Sequence, residues 1–377
     1  MRGERADRKS ARTYHPVGQV QVQVQVQVQM RSTDQTASVI PVPSRGSTQP
    51  SRPRAKRGEM IRANCRAAVA AAAIPFLLGT ASDPALASEG GGSQYPLGVE
   101  THFSGVMAPP GYHQFLYYSH YESSHSKGNN GDDNRRLAYF KIRTDAIATR
   151  ASYVWPNITV LGANVETRAA IALPTIELSL GIARPGPAGP LDRSGSKTGL
   201  ADLSVHPVVL GWHLPTVHQM AGIELLFPTG AYDATAPVNI GRNYYGLGPS
   251  YSVTWLPRQG VDVSAKVRYG MSTTNKETNY RSGDELTFEF GGNFRVDRSI
   301  QIGATGYAYV QTTDDKQNGA IVNGNGNRGR VFALGPSMTY IFTPKVALIA
   351  KVQFEFDARN RPEGTRVWLQ MKLPFAD

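Results

Sequence analysis

Apolar and polar residues alternate through most of the chain beyond residue 110. Val261, Val263, Ala265, Val267 and Tyr269 are interleaved with Asp262, Ser264, Lys266 and Arg268, so a period of two gives an apolar face and a charged face. The same dyad sets Leu286, Phe288 and Phe290 against Thr287 and Glu289, and Ile300, Ile302 and Ala304 against Gln301. It also sets Val346, Leu348, Ala350, Val352, Phe354 and Phe356 against Lys351, Gln353 and Glu355. The pattern predicts strands over 112–121, 138–154, 158–183, 199–214, 217–228, 243–256, 260–270, 284–296, 299–311, 329–342, 345–357 and 364–375.

Both a soluble sandwich and a membrane barrel alternate in this way, and the connections separate them. Tight ones (Trp155-Pro156-Asn157, Pro215-Thr216, Pro257-Arg258-Gln259, Asp297-Arg298, Thr343-Pro344) take turns with long polar ones such as 123–136, 184–198 and 312–328. Outer-membrane barrels are wired so, with turns in the periplasm and loops outside. The expected fold is therefore all-β, a transmembrane antiparallel up-and-down β-barrel of about 12 strands in the bacterial outer membrane. In the third segment the apolar set changes from odd to even numbers at Pro174, which suggests a β-bulge there, or a split that would raise the count to 14. Trp155, Trp212, Trp255 and Tyr340 fall near the short turns, where an interfacial girdle belongs.

Composition changes the picture mainly at the N-terminus. The net charge is +11, but residues 1–59 carry 11 Lys/Arg against 4 Asp/Glu and residues 60–87 carry 2 against 1, leaving about +3 for the remainder. The basic balance belongs to the leader, so nucleic acid is not an expected partner. Residues 1–59 read as a disordered low-complexity leader, including the Gln/Val repeat from Gln19 to Gln29, with Met60 as the expected start. From there Arg62 and Arg66, the apolar run Ala67 to Leu78 and Ala85-Leu86-Ala87 form the three parts of a cleaved signal peptide over 60–87. The one cysteine, Cys65, lies inside it, which excludes disulfides and thiolate metal sites from the mature chain. Residues 88–111, rich in Gly and Pro, are expected either in the periplasm or folded into the lumen as a plug, ahead of a barrel spanning 112–377.

If the apolar face meets lipid, the polar face lines the lumen. Candidates for the solute path are Lys141, Arg143, Asp145, Glu166, Arg168, Asp202, His206, Glu224, Lys266, Arg268, Glu289, Lys351 and Glu355. Both signs occur about equally, which suits paired charges across a filled or narrow lumen rather than an ion-selective ring. There is no HExxH, no GxSxG and no phosphate-binding loop, so neither enzyme activity nor cofactor nor metal is expected.

Several short motifs carry a family likeness. They are Tyr95-Pro96-x-Gly98, Pro109-Pro110-Gly111, Pro228-Thr229-Gly230, Asn239-Ile240-Gly241-Arg242-Asn243, Tyr280-Arg281-Ser282-Gly283-Asp284-Glu285, Gly335-Pro336 and Ala358-Arg359-Asn360-Arg361-Pro362-Glu363-Gly364. In this order they resemble the outer-membrane family named for the meta pathway of phenol degradation. The resemblance implies a barrel that takes up small hydrophobic, aromatic compounds of the phenol type, without established binding residues. The alternative is a structural or surface-binding barrel without transport. The motifs cluster in loops, where Arg242, Asn243, Asp284 and Arg359 are expected to supply polar groups to a mouth pocket. Expected partners are outer-membrane lipid, the barrel-assembly machinery and a small hydrophobic solute.

Overall fold

A segment with one apolar and one polar face must find lipid or a core for the first, and every backbone N–H and C=O in lipid must be paired within the protein. The computed structural model, which describes residues 91–343 and 346–373, meets both demands by closing the strands on themselves. Twelve long strands form the wall: β1 Gly111–Ser126, β2 Leu137–Val160, β3 Ala163–Ile182, β4 Leu203–His213, β5 Val217–Phe227 and β6 Gly246–Trp255 make the first half. β7 Val261–Ser272, β8 Glu285–Arg295, β9 Ile300–Gln311, β10 Arg330–Thr343, β11 Val346–Arg359 and β12 Pro362–Leu373 make the second. Each pairs antiparallel with its sequence neighbours. The ends meet where β1 pairs β12, from Gln114 opposite Leu373 to Ser126 opposite Pro362. No edge is left open.

Side-chain parity follows the prediction around most of the wall. Ile147, Ile223, Val263, Phe288, Leu334, Phe354 and Leu369 are exposed on the outside, as lipid contact requires. Trp155, Trp255, Phe294, Tyr340 and Phe342 are exposed near the short connections, the level of an interfacial girdle. The chain is an all-β outer-membrane barrel. The leader 1–59, the signal 60–87, residues 88–90, the turn residue Pro344 and the terminal aromatic Phe375 lie outside the described residues.

Three local expectations need correction. The hairpin of β2 and β3 does not turn at Trp155-Pro156-Asn157. β2 slips register between Val154 and Thr159 and continues to Val160, which pairs Ala163. The turn is Leu161-Gly162, with φ of 52° and 74°. Two positive φ values suit the right-handed twist of a hairpin, so turn geometry outweighed the Pro-Asn signal.

No bulge marks Pro174 along its β2 edge, where Asp145, Ala146 and Ile147 pair Thr175, Pro174 and Leu173 without interruption. The phase of the apolar pattern changes because polarity inverts along a regular strand. Glu177 and Ser179 are exposed on the outward face while Leu180 is buried on the inward one. That end of β3 extends into the loops, where the short strands Leu191–Asp192 and Gly195–Thr198 pair with it. These two additions leave the barrel at twelve strands rather than 14.

The last long connection is also shorter than expected. β11 and β12 run to a two-residue link, Asn360-Arg361, with Asn360 at φ 53°. Most of the expected connection at 358–363 is therefore strand.

Candidate functional site

Residues 91–110 descend inside the barrel, from the loop end to the turn end, before Gly111 begins β1. The lumen-facing side chains hold them step by step. The Gln94 amide donates to Glu285 at 3.1 Å, and the Tyr95 hydroxyl donates to Glu289 at 2.9 Å. The Trp368 indole donates to the Leu97 carbonyl at 3.2 Å. Lys351 donates to the Gly98 and Val99 carbonyls at 2.6 and 2.9 Å. Lower down, the Phe103 amide reaches Ser264 at 2.9 Å, Ser252 reaches the Ser104 carbonyl at 2.6 Å, and the Gly105 amide reaches Thr254 at 3.0 Å. An irregular backbone inside a membrane protein survives only where its polar groups are met in this way.

Two glycines show how tightly the segment is fitted. Gly98 has φ +79°, and a Cβ there would collide with the Gln353 amide. A Cβ at Gly105 would lie 2.4 Å from the His218 carbonyl and 2.6 Å from the Thr254 amide nitrogen.

Glu100 is the electrostatic centre. Its carboxylate accepts from Arg150 and Lys266 and lies 3.3 Å from Arg168, which also pairs Glu166 at 2.9 Å. Burial by itself raises the Glu100 pKa, but Lys266, Arg150 and Arg168 outweigh it and hold the carboxyl well below its ordinary value. Beside this knot Glu100, Arg168, His206, Met220 and Lys266 line a cavity of about 10 Å³. That is about the size of one water, so the centre of the lumen is filled.

The structure brings most of the predicted lumen residues into contact with this segment or its ion pairs. Arg168, Lys266, Glu289 and Lys351 bind it directly. Glu166 orients Arg168, while Glu224 pairs Arg268 at 2.7 Å. Glu355 accepts from Tyr121 at 2.8 Å and Tyr307 at 2.6 Å. These contacts give the charges structural roles.

Lys141, Arg143 and Asp145 are a correction. They share parity with the lipid-facing Ile147, which is 63 % exposed, and so lie on the outer surface. There Lys141 pairs Glu122 at 2.7 Å and Arg143 pairs Asp145 at 2.9 Å. Their end of β2 is polar outside, so charge alone misidentified the lumen side. Asp202 is not a wall residue at mid-strand either. It lies just before β4 and accepts from the Gly230 and Arg242 amides, each at 2.8 Å, tying down the 228–245 loop.

The mouth candidates are similarly engaged. The Arg242 side chain donates to the Ser93 carbonyl at 2.8 Å, and Asn243 donates to Asn275 at 2.8 Å. Asp284 accepts from Tyr269 at 3.2 Å, and Arg359 lies opposite Arg330 across the β10–β11 ladder. A larger cavity, about 600 Å³, lies at the other end, beneath the segment, with Phe103, Leu256, Val261, Ile341 and Val346 among its walls. None of the four mouth residues lines it.

Sequence reasoning missed Glu100 and Arg150, and gave Tyr95 only as part of a motif. Arg150 was within reach, since it has the opposite parity to Ile147. Glu100 lies in no strand, and only the three cations that converge on it reveal its place.

The family described as "Putative MetA-pathway of phenol degradation" matches residues 125–371. The chain belongs to this family. No curated protein sequence matches it. Among solved structures, the COG4313 outer membrane channel from Pseudomonas putida F1 is similar at a TM-score of 0.60 and 15% identity, covering 75% of this chain and 100% of that one. At that identity the likeness speaks for the family member's fold. The CymD monoaromatic hydrocarbon channel aligns at 0.34, with 10% identity over 73% of this chain and 91% of that one. A Pseudomonas aeruginosa FadL homologue aligns at 0.38, with 10% identity over 76% and 96%.

Proposed function

We propose that this barrel is a passive outer-membrane channel for small hydrophobic, phenol-type aromatic solutes. Family membership supports the solute class, and the Pseudomonas putida barrel of similar fold is itself a channel. The observation that carries the reading is the 600 Å³ cavity. Its walls are largely apolar, inside a lumen lined elsewhere by paired charges. A structural barrel has no need of such a space, whereas a hydrophobic solute needs a place to leave water.

The segment 91–110 blocks an open aqueous pore, so ions and sugars should pass poorly while small hydrophobes pass after local displacement of the segment. The test is uptake into proteoliposomes carrying the refolded protein, with phenol and glucose compared against protein-free vesicles. Protein-dependent entry of phenol without entry of glucose is the expected result. Equal entry of phenol with and without protein would overturn the reading.

A further inference from the structure

Polar atoms buried without partners are uncommon in folded proteins, and here several gather beside the periplasmic cavity. Asp262, on β7, is 1 % exposed, and neither of its carboxylate oxygens has a hydrogen-bond partner. Gln301 Oε1 on β9 and Thr339 Oγ1 on β10 are likewise buried and unpartnered, and all three residues line the cavity. The polar neighbour of Asp262 is the His102 ring, whose Nδ1 lies 3.5 Å away. Burial pushes the His102 pKa down against the opposing pull of Asp262 itself, which weakens the ring as a counter-charge without removing the contact.

A carboxylate buried without a good donor is unfavourable, and a bound donor would relieve that. Phe103, Leu256, Val261, Ile341 and Val346 give the cavity apolar walls, alongside the polar Thr216, Gln259 and Thr343. Arg258 and Arg295 also line the cavity but are exposed. The buried negative group therefore favours a neutral donor over an anion at the inner end.

We propose that this cavity is a binding site for small aromatic molecules bearing a hydroxyl group, with the hydroxyl donating to Asp262 and the ring held by the apolar walls. Gln301 and Thr339 flank the hydroxyl position as further hydrogen-bonding groups. The site distinguishes a hydroxylated aromatic from the bare or methylated compound, because only the former meets the carboxylate. This inference rests on the channel reading, since it makes the cavity the last stop before the periplasm.

The experiment is fluorine NMR of the full mature protein in lipid nanodiscs, titrated with 4-fluorophenol or with 4-fluoroanisole, against empty nanodiscs. Saturable binding of 4-fluorophenol is expected, with the anisole at least about tenfold weaker. Asp262→Asn should weaken the phenol by about tenfold and leave the anisole unchanged. Ile341→Trp, which fills the cavity from another wall, should abolish the saturable component. Folding of both variants is checked by their heat-modifiable mobility on gels.

Equal affinity for the two probes, or phenol binding unaltered by both variants, would overturn the site. If proteoliposome uptake of phenol persists in that case, the channel reading stands alone. Binding that depends on Asp262 without any protein-dependent uptake would instead uphold the site and overturn the channel.

Discussion

Glu100 concentrates the electrostatics of the lumen in one side chain. It is the shared acceptor for Arg150, Arg168 and Lys266, and it lies in a segment with no strand ladder of its own. Glu100→Gln leaves three cations around a neutral group. Removing one partner from a buried ionic cluster typically costs about 3 kcal/mol or more. That loss should appear as release of residues 91–110 rather than collapse of the wall, whose ladders do not involve this side chain. The measurement is single-channel conductance in planar bilayers, where the variant should pass larger and more frequent currents than the parent protein.

Acid should mimic the variant. The folded Glu100 carboxyl titrates well below its ordinary value of 4.5, so its contribution is fully present above that pH and is lost as pH falls through the lower folded value. Thiol labelling of a cysteine placed at Val99 should therefore be slow at pH 7 and 5, accelerating only below about pH 4.5. Acceleration between pH 5 and 7 would point to a histidine instead.

At the scale of elements, the twelve strands were legible because lipid on one side and charge on the other force a strict period of two. All twelve fall on predicted segments, with ends shifted by a few residues. What was not legible is where that forcing stops. Beyond the lipid, β2 and β3 keep their backbone geometry but reverse or lose their polarity, so Lys141, Arg143 and Asp145 looked like lumen residues and Pro174 looked like a bulge. Turns were hidden for a different reason. The Leu161-Gly162 link places a leucine at φ 52°, a conformation that costs an ordinary residue roughly 1 kcal/mol, and no sequence rule would choose it. Leu161→Asn should relieve that strain, since asparagine tolerates the left-handed region. The side chain is 84 % exposed and gives up little packing. Urea unfolding from lipid vesicles should show the variant more stable by about 1 kcal/mol.

For the whole molecule, the open question from sequence was whether residues 88–111 stayed in the periplasm or entered the lumen. Composition could not settle it, because the groups that hold the described part of the segment come from strands scattered along the chain. Ser252 on β6, Ser264 on β7, Glu289 on β8, Lys351 on β11 and Trp368 on β12 supply contacts that mean little singly. The barrel has to close before these contacts exist. Apart from the Glu100 knot, the segment is bound by many modest polar interactions, a form of attachment that permits local displacement without opening the wall. If solute passage requires that displacement, fixing the segment must stop transport while leaving the fold intact. Met107 and Gly211 offer the place, since a Cβ at Gly211 on β4 would lie 3.2 Å from the Met107 Cβ, close to the spacing a disulfide bridges. With both replaced by cysteine, the oxidised protein should lose most protein-dependent phenol uptake, and a reductant should restore it. The cavity beneath remains accessible from the turn end, so 4-fluorophenol should still bind the oxidised form. Uptake that persists in the cross-linked protein would mean that solutes pass without moving this part of the segment.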